Sequence, residues 1–291
     1  MDPEILRYAA FTNDPEGGNP AGIVLEAAAL DAAAMQRIAA EVDYAETAFV
    51  TGETADGARS IRYFSPIAEV PFCGHATIAT AVVLAEREGA GRLRFATPVG
   101  EVVIETEATP DGVEAAFTSV EPSVSELDDD VLARVLDLIG LPASALDPRY
   151  PPRLAFAGNP HPVVVVADAV DFDGLSFDPV AARALMDAEG WPATITVLRE
   201  LGEGADGAGA DGTVEFEARN IFPVGRIAED PATGSAAAAT GGYLRAIGAV
   251  APPARIRIHQ GRHVGRPGVL EVSIPPVGGI TVGGRAVPIS T

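Results

Sequence analysis

The sequence predicts an α+β protein made of two similar halves, each a barrel-like sheet wrapped around one buried helix. Three observations lead to this fold class: a glycine-containing turn is written twice, short strand-like segments outnumber helix-like ones, and one helix in each half lacks a polar face. A helix that is apolar on all sides has to be covered by other elements. In each half, the strands supply a sheet that can curve around it.

The repeat is clearest in one stretch of 14 residues. "IAEVPFCGHATIAT" (67–80) returns as "IAEDPATGSAAAAT" (227–240), with identical residues at 8 of the 14 positions. Two further pairs keep the same order along the chain, namely "GGNPAGIVLEA" with "AGNPHPVVVVADA" and "YAETAFV" with "WPATITV". An internal duplication explains such ordered self-similarity better than chance does.

Periodicity and capping residues give the elements in outline. Apolar and β-branched runs predict about ten strands, and five helices are predicted over 31–42, 75–89, 129–140, 179–190 and 235–248. Asp31 and Asp178 are candidate N-caps for the first and fourth of these helices. The polar run 121–130 favours a linker, and 202–212 favours a flexible hairpin loop. We therefore expect an N-terminal lobe over 1–120, joined by the tail 277–291, and a C-terminal lobe over 121–276.

Composition excludes several classes of function. The net charge of −21 opposes binding to nucleic acid, and an anionic substrate would have to be held by local donors. No apolar run is long enough to span a membrane. The first residues lack the basic segment of a signal peptide, so we expect a cytoplasmic protein.

The reactive residue types narrow the chemistry further. The 20 basic residues are all arginine, so a lysine Schiff base is excluded. The single cysteine, Cys73, excludes an intramolecular disulfide and a cysteine-rich zinc site. Because the four histidines show no HExxH spacing, we expect no metal site.

The repeated turn is itself a candidate binding element. In both copies a glycine, Gly74 or Gly234, stands where an apolar helix begins. The start of a helix presents free backbone N–H groups, which favour a carboxylate or an enolate-like oxygen. One such turn alone would be an ordinary helix start, but two matched turns can face each other across a cleft. We expect the helix starts at His75 and Ser235 to point into one shared cleft.

The two copies differ at their ionisable positions. Glu46, His75 and Asp230 align, without gaps inside each motif, with the uncharged residues Ala193, Ser235 and Val70. A repeat that keeps its scaffold but varies these positions would place different groups in one pocket, where they could form an acid–base set.

Each of these residues also has a structural alternative. Glu46 could face water at a strand edge, His75 could be a helix-capping residue, and Asp230 could form a turn before Pro231. Cys73 is more often a small buried apolar residue than a nucleophile.

The motifs together resemble the phenazine-biosynthesis PhzF-like isomerase family. They are "GGNPAGIVLEA", "YAETAFV", "YFSPIAEVPFCGHATIATAVVL", "EDPATGSAAAATGGYL" and "HQGRHVGRPG", in the family's order and over most of the chain. The resemblance implies a diaminopimelate epimerase-like fold with the active site between two pseudo-symmetric lobes. It also implies a homodimer that needs no metal or organic cofactor.

The resemblance assigns roles residue by residue. The glutamate of "YAETAFV", Glu46, becomes the proton-transferring acid/base, and His75 and Asp230 line the same pocket. The remaining residues would hold or flank a substrate carboxylate: Asn19, Gly74, Gly234 and Ser235. Related epimerases and proline racemases use two cysteines, whereas here Cys73 is matched by Thr233 or Ser235, which argues against a two-thiol mechanism.

These inferences predict a cofactor-independent isomerase that moves a proton within a small carboxylate-bearing metabolite. Two alternatives stay open at the level of sequence. One is an amino-acid racemase or epimerase on the same scaffold, and the other is a catalytically idle small-molecule-binding protein. The resemblance does not name the substrate.

Overall fold

The computed structural model describes residues 3–202, 213–223 and 227–290 of the chain. The chain divides into two compact units. The first unit is Met1–Thr118 together with Gly283–Thr291, and the second unit is Ser119–Val282. The lobe boundaries expected from the sequence stay a prediction.

The first unit contains nine strands and two helices among its described residues. The strands are β1 (Leu6–Ala10), β2 (Asn19–Val24), β3 (Glu46–Glu53), β4 (Arg59–Phe64), β5 (Glu69–Val70), β6 (Arg92–Thr97), β7 (Gly100–Thr109), β8 (Gly112–Thr118) and β17 (Thr281–Pro288), and the helices are α1 (Ala32–Val42) and α2 (Gly74–Glu88). The first two residues of β17 fall in the second unit and its other six in the first.

Eight of these strands close into a barrel. Strand pairing runs β1–β2–β3–β4–β6–β7–β8, and β17 pairs with both β8 and β1. Two of the pairings, β2 with β3 and β4 with β6, are parallel. Closing the sheet leaves no unpaired edge among these eight strands, and it creates an interior that has to be filled.

Helix α2 fills that interior. It contacts β1, β2, β3, β7 and β8, and its residues 75–85 are all buried. The sequence explains this position, because His75 to Ala85 carry no charged side chain and most are small or branched apolar residues. The charged side chains come only in the last turn, where the helix emerges and Gly89 follows it.

The second unit contains eight strands and four helices among its described residues. The strands are β9 (Ser123–Glu126), β10 (Arg153–Phe156), β11 (Pro160–Val165), β12 (Ile195–Leu201), β13 (Val214–Ile221), β14 (Glu229–Asp230), β15 (Ala254–Gln260) and β16 (Gly268–Ile274), and the helices are α3 (Asp129–Ile139), α4 (Ala169–Gly174), α5 (Pro179–Glu189) and α6 (Gly234–Ala246).

Strand pairing in the second unit repeats that of the first. The order β10–β11–β12–β13–β15–β16 alternates antiparallel and parallel pairs just as β1–β2–β3–β4–β6–β7 does. The short strand β14 lies on β13 as β5 lies on β4. Helix α6 contacts β9, β10, β11 and β16, and it is buried from Ala236 to Leu244. The internal duplication and the predicted fold class are both confirmed.

The predicted helices agree with the structure to within one or two residues at each end, and Asp31 and Asp178 do cap α1 and α5 by accepting backbone N–H groups. The linker predicted over 121–130 is wrong, because it contains β9 and the start of α3. Strand β9 pairs with β10 despite its polar composition. The short helix α4 was not predicted, and the loop predicted over 202–212 lies outside the described residues except for Gly202. Within the described ranges, no helix has the length and apolar character that crossing a bilayer requires.

Candidate functional site

The start of α2 brings three sequence-predicted residues of the first unit together. Cys73 is the N-cap, and its extended backbone turns the chain from β5 into the helix. The carbonyl of Cys73 accepts the first helical bond from the Thr77 amide, at 3.1 Å. The amides of Gly74, His75 and Ala76 have no acceptor within the helix, as is usual in the first turn of a helix. Adding a Cβ to Gly74 would meet only Phe72, at 3.9 Å, so the backbone there is open to approach.

Glu46 lies beside this helix start because it is the first residue of β3. Its carboxylate oxygen Oε2 is 3.5 Å from the Cys73 Sγ and 3.5 Å from the His75 Nε2. The Cys73 Sγ is in turn 3.3 Å from the His75 Nδ1. The Glu46 side chain is 17% exposed and the His75 side chain is 8% exposed. A carboxyl, a thiol and an imidazole therefore share one largely buried cluster.

His75 is a neutral member of this cluster. Burial lowers the pKa of His75 to about 4, and a hydrogen bond to the carbonyl of Pro20 only partly offsets that effect. At neutral pH its imidazole therefore offers one donor and one acceptor, and it contributes no charge next to Glu46. Asn19, which precedes Pro20, is fully buried at the start of β2.

Asp230, in the second unit, lies in a hydrogen-bond network around the turn that precedes α6. Its Oδ2 accepts a hydrogen bond from the Thr233 hydroxyl at 2.5 Å. The Gln260 amide nitrogen donates to the Asp230 carbonyl and to the Thr233 hydroxyl, at 2.6 and 2.9 Å. The Gln260 side-chain oxygen accepts from the Thr233 amide at 3.1 Å. This network holds the turn that leads into Gly234 and α6, so Asp230 has a structural role whatever else it does.

Ser235, at the start of α6, is bonded to a histidine that the sequence analysis did not single out. The His161 Nε2 lies 3.1 Å from the Ser235 Oγ. On its other side, the His161 Nδ1 lies 2.9 Å from the Thr194 Oγ1 and 3.2 Å from the Thr194 carbonyl. The Thr194 hydroxyl donates to the Asn220 Oδ1 at 2.8 Å. Because that proton is committed to Asn220, Thr194 accepts from Nδ1–H, and the Ser235 hydroxyl donates to Nε2.

His161 is fully buried, and burial lowers its pKa to about 4. The signal that could have found it is the "GNPHP" motif, in which His161 takes the place that Ala21 has in "GNPAG". Its partner Ser235 is 74 residues away, so only the folded structure shows their contact.

Strand register corrects one predicted correspondence. Ala48 pairs with Tyr63 in the first unit, and Thr196 pairs with Asn220 in the second. The pairings of Tyr63 with Val70 and of Asn220 with Asp230 confirm that Tyr63 and Asn220 are counterparts. Two residues back along β3 and β12, the counterpart of Glu46 is therefore Thr194, and the predicted counterpart Ala193 is wrong by one residue.

The corrected register defines three equivalent positions. In the first unit they hold Ala21, Glu46 and His75, and in the second unit they hold His161, Thr194 and Ser235. Each unit thus has one imidazole next to the start of its buried helix. Of these six residues, Glu46 alone carries a carboxylate.

This fold defines a class of α+β protein with two similar units, each built on the same strand order around a buried helix. The chain belongs to the phenazine biosynthesis-like protein family, whose model matches residues 8–291. The chain is 31% identical to the uncharacterized isomerase YddE of Salmonella typhimurium over 297 residues, covering 99% of this chain and 96% of YddE.

Two further similarities agree with this membership. The trans-2,3-dihydro-3-hydroxyanthranilate isomerase of Pseudomonas chlororaphis is 29% identical over 262 residues, covering 90% of this chain and 86% of that enzyme. The crystal structure of a PhzF-family phenazine biosynthesis protein from Bacillus anthracis superposes with a TM-score of 0.85 at 24% identity, covering 100% of this chain and 98% of that one. The chain is therefore an isomerase of this family.

Gly74 offers a test of the open helix start. Gly74→Ala should leave the thermal stability unchanged or slightly raised, because the added Cβ has space and alanine favours a helix. If a ligand is held against this backbone, the same methyl group should lower kcat/KM by at least about tenfold, which is the effect of losing about 1.4 kcal/mol of binding. Unchanged kcat/KM would show that no substrate approaches Gly74.

The burial of neutral His161 should make the stability of the protein depend on pH. The unfolded chain binds a proton at His161 below a pKa of about 6.5, whereas the folded chain binds it only below about 4. The free energy of unfolding should therefore decrease as the pH falls from about 6.5 to about 4. In His161→Gln, the slope of the free energy of unfolding against pH should decrease by the contribution of about one proton. Chemical denaturation at a series of pH values measures it, and an identical slope in the variant would contradict the buried neutral state.

Proposed function

We propose that this protein catalyses a cofactor-independent isomerisation in which Glu46 moves a proton within a small carboxylate-bearing metabolite. The observation that carries the proposal is the cluster of Glu46, Cys73 and His75 at the start of α2. It places a carboxylate within 3.5 Å of an imidazole that is neutral at neutral pH. A carboxylate beside a neutral group can accept a proton and return it, because no fixed positive charge of that neighbour holds it in the ionised state.

The helix start supplies the second part of the mechanism. When Glu46 removes a proton from carbon, negative charge develops on the conjugated system of the substrate. The free amides at the start of α2 and the positive end of its dipole stabilise such charge. The neutral His75 can donate a hydrogen bond to the same substrate. Glu46 then returns the proton to another carbon, and the double bond shifts.

The relatives support this reaction class. One of them is named for an isomerase reaction on trans-2,3-dihydro-3-hydroxyanthranilate, which is a small carboxylate with a conjugated ring system. We carry over the class of substrate and not that compound itself. Roles for Asn19, Gly74, Asp230, Gly234 and Ser235 in holding the substrate are part of the proposal. The shared cleft, the homodimer and the cytoplasmic location stay predictions.

A racemase or epimerase on the same scaffold is the second candidate, and the position of Cys73 favours it. The thiol lies next to both Glu46 and His75, where it could exchange a proton with a substrate. The register argues against a pair of thiols, because position 233 in the second unit holds threonine.

Glu46→Gln tests the proposed base. The amide keeps the size of the side chain but cannot accept the proton, so turnover should fall by at least about 10²-fold, the usual effect of losing a general acid/base. Solvent deuterium incorporation into the substrate should fall in parallel. Ligand affinity should change much less, because the amides of α2 are untouched. Glu53→Gln, on the exposed end of the same strand, is the matched control and should keep wild-type turnover. An unchanged exchange rate in Glu46→Gln would make Glu46 a bystander.

Cys73→Ala separates the two candidates. The isomerase mechanism uses no thiol, so this variant should stay within about tenfold of wild-type turnover, the loss coming from packing at a buried site. A folded variant without detectable turnover, with inversion at the exchanged carbon of the wild-type reaction, would support the racemase instead.

A further inference from the structure

Three side chains at the start of α2 have the spacing of ligands around one small cation. The distances that join Cys73 Sγ, His75 Nε2 and Glu46 Oε2 are 3.7, 3.5 and 3.5 Å. Zinc binds sulfur at about 2.3 Å, nitrogen at about 2.0–2.1 Å and oxygen at about 2.0–2.2 Å. At tetrahedral angles, those bond lengths separate neighbouring ligand atoms by about 3.3–3.6 Å. The side chains therefore need to move only slightly to bind such an ion.

We propose that Glu46, Cys73 and His75 form a three-ligand site for a soft divalent cation of the Zn²⁺ class, and that the bound ion inhibits the enzyme. A thiol, an imidazole and a carboxyl are the three side-chain types that zinc selects. The fourth tetrahedral position would hold water. Binding replaces the thiol proton, which leaves to solvent as the Zn–S bond forms.

The surroundings of the site suit this set of ligands. The positive end of the α2 dipole favours the Cys73 thiolate. It would oppose a bare dication, but the thiolate and the Glu46 carboxylate together balance a charge of +2. The His75 ring also hydrogen-bonds to the Pro20 carbonyl, and such a bond from the ring nitrogen that does not bind the metal would orient the imidazole. The net charge of −21 attracts cations to the chain in general.

The same ligands exclude hard cations. Mg²⁺ and Ca²⁺ require six or more oxygen ligands, whereas this cluster offers a single carboxylate beside sulfur and nitrogen. A site with these ligands should therefore bind Zn²⁺ or Co²⁺ and ignore Mg²⁺.

Asp173, Glu217 and His263 in the second unit form a comparable cluster that provides the control. There, the Arg262 guanidinium donates to Glu217 at 2.7 Å and to Asp173 at 2.6 Å. The guanidinium already supplies the positive charge that a metal ion would bring, and the cluster contains no sulfur. We expect no Zn²⁺ site of comparable affinity there.

Inhibition follows from the role of Glu46, so this part of the proposal rests on the proposed function, whereas metal binding does not. A carboxylate bound to Zn²⁺ cannot accept a proton from carbon. Stoichiometric Zn²⁺ should therefore suppress solvent deuterium exchange, and a chelator should restore it.

The experiment titrates the full-length protein with Co²⁺ and then with Zn²⁺. Co²⁺ should give the near-ultraviolet charge-transfer band of a cobalt–thiolate bond at one ion per chain, and Zn²⁺ should remove it. Chelator competition should show that Cys73→Ser weakens Zn²⁺ binding at least about 100-fold, or about 2.7 kcal/mol. His263→Asn should leave both readouts at their wild-type values.

The absence of a thiolate band in the folded wild-type protein would overturn the site, and so would equal Zn²⁺ affinity in Cys73→Ser. The Co²⁺ spectrum of the wild-type protein tests the metal site even if a variant fails to fold. A confirmed site whose occupancy leaves deuterium exchange unchanged would contradict the inhibition and the role of Glu46, but not the metal site itself.

Discussion

The structure depends on burying two helices that have no polar face. Neither α2 nor α6 can lie on a surface, so each must be covered along most of its length by strands. Once a helix is enclosed in this way, its N-terminal amides cannot all be satisfied by the sheet, whose own groups are paired within it. The polar end of an apolar helix therefore becomes a place where ligand-binding groups concentrate. In the first unit, Glu46, Cys73 and His75 lie at that end.

The same constraint explains which residues could vary after the duplication. The buried residues of α2 and α6 are mostly apolar in both units, and at Gly242 an added Cβ would lie only 2.5 Å from Pro122, which would force the packing apart. Residues at the starts of α2 and α6 differ between the units, as His75 and Ser235 do. There the two units diverged, into a cluster with a carboxylate in the first unit and a cluster of neutral hydrogen-bonding groups in the second.

The sequence could predict the fold because its evidence is local and repeated. Helix patterns, caps and the duplicated turn all agree with the strand order of both units. It could also identify Glu46 and His75 as candidate site residues, because the equivalent positions of the other repeat hold residues that are not ionisable. The sequence does not predict which residues of neighbouring strands pair with each other. Loops of unequal length shifted the alignment by one residue, so Thr194 was hidden as the counterpart of Glu46. The polar composition of β9 predicts a linker, because its pairing with β10 is a tertiary contact that composition does not show. The contact of His161 with Ser235 cannot be predicted from the sequence, because the two residues are 74 positions apart.

The three equivalent positions of the two units hold different residues on the same elements of structure. Positions 21, 46 and 75 in one unit and 161, 194 and 235 in the other sit on the same strands and helix of a common framework, and the framework accepts two very different triplets of residues. An imidazole is supplied by the helix in one unit and by a strand in the other. The common framework therefore tolerates different residues at these positions without a change in strand order. That property suits it to directed evolution, with libraries confined to six codons.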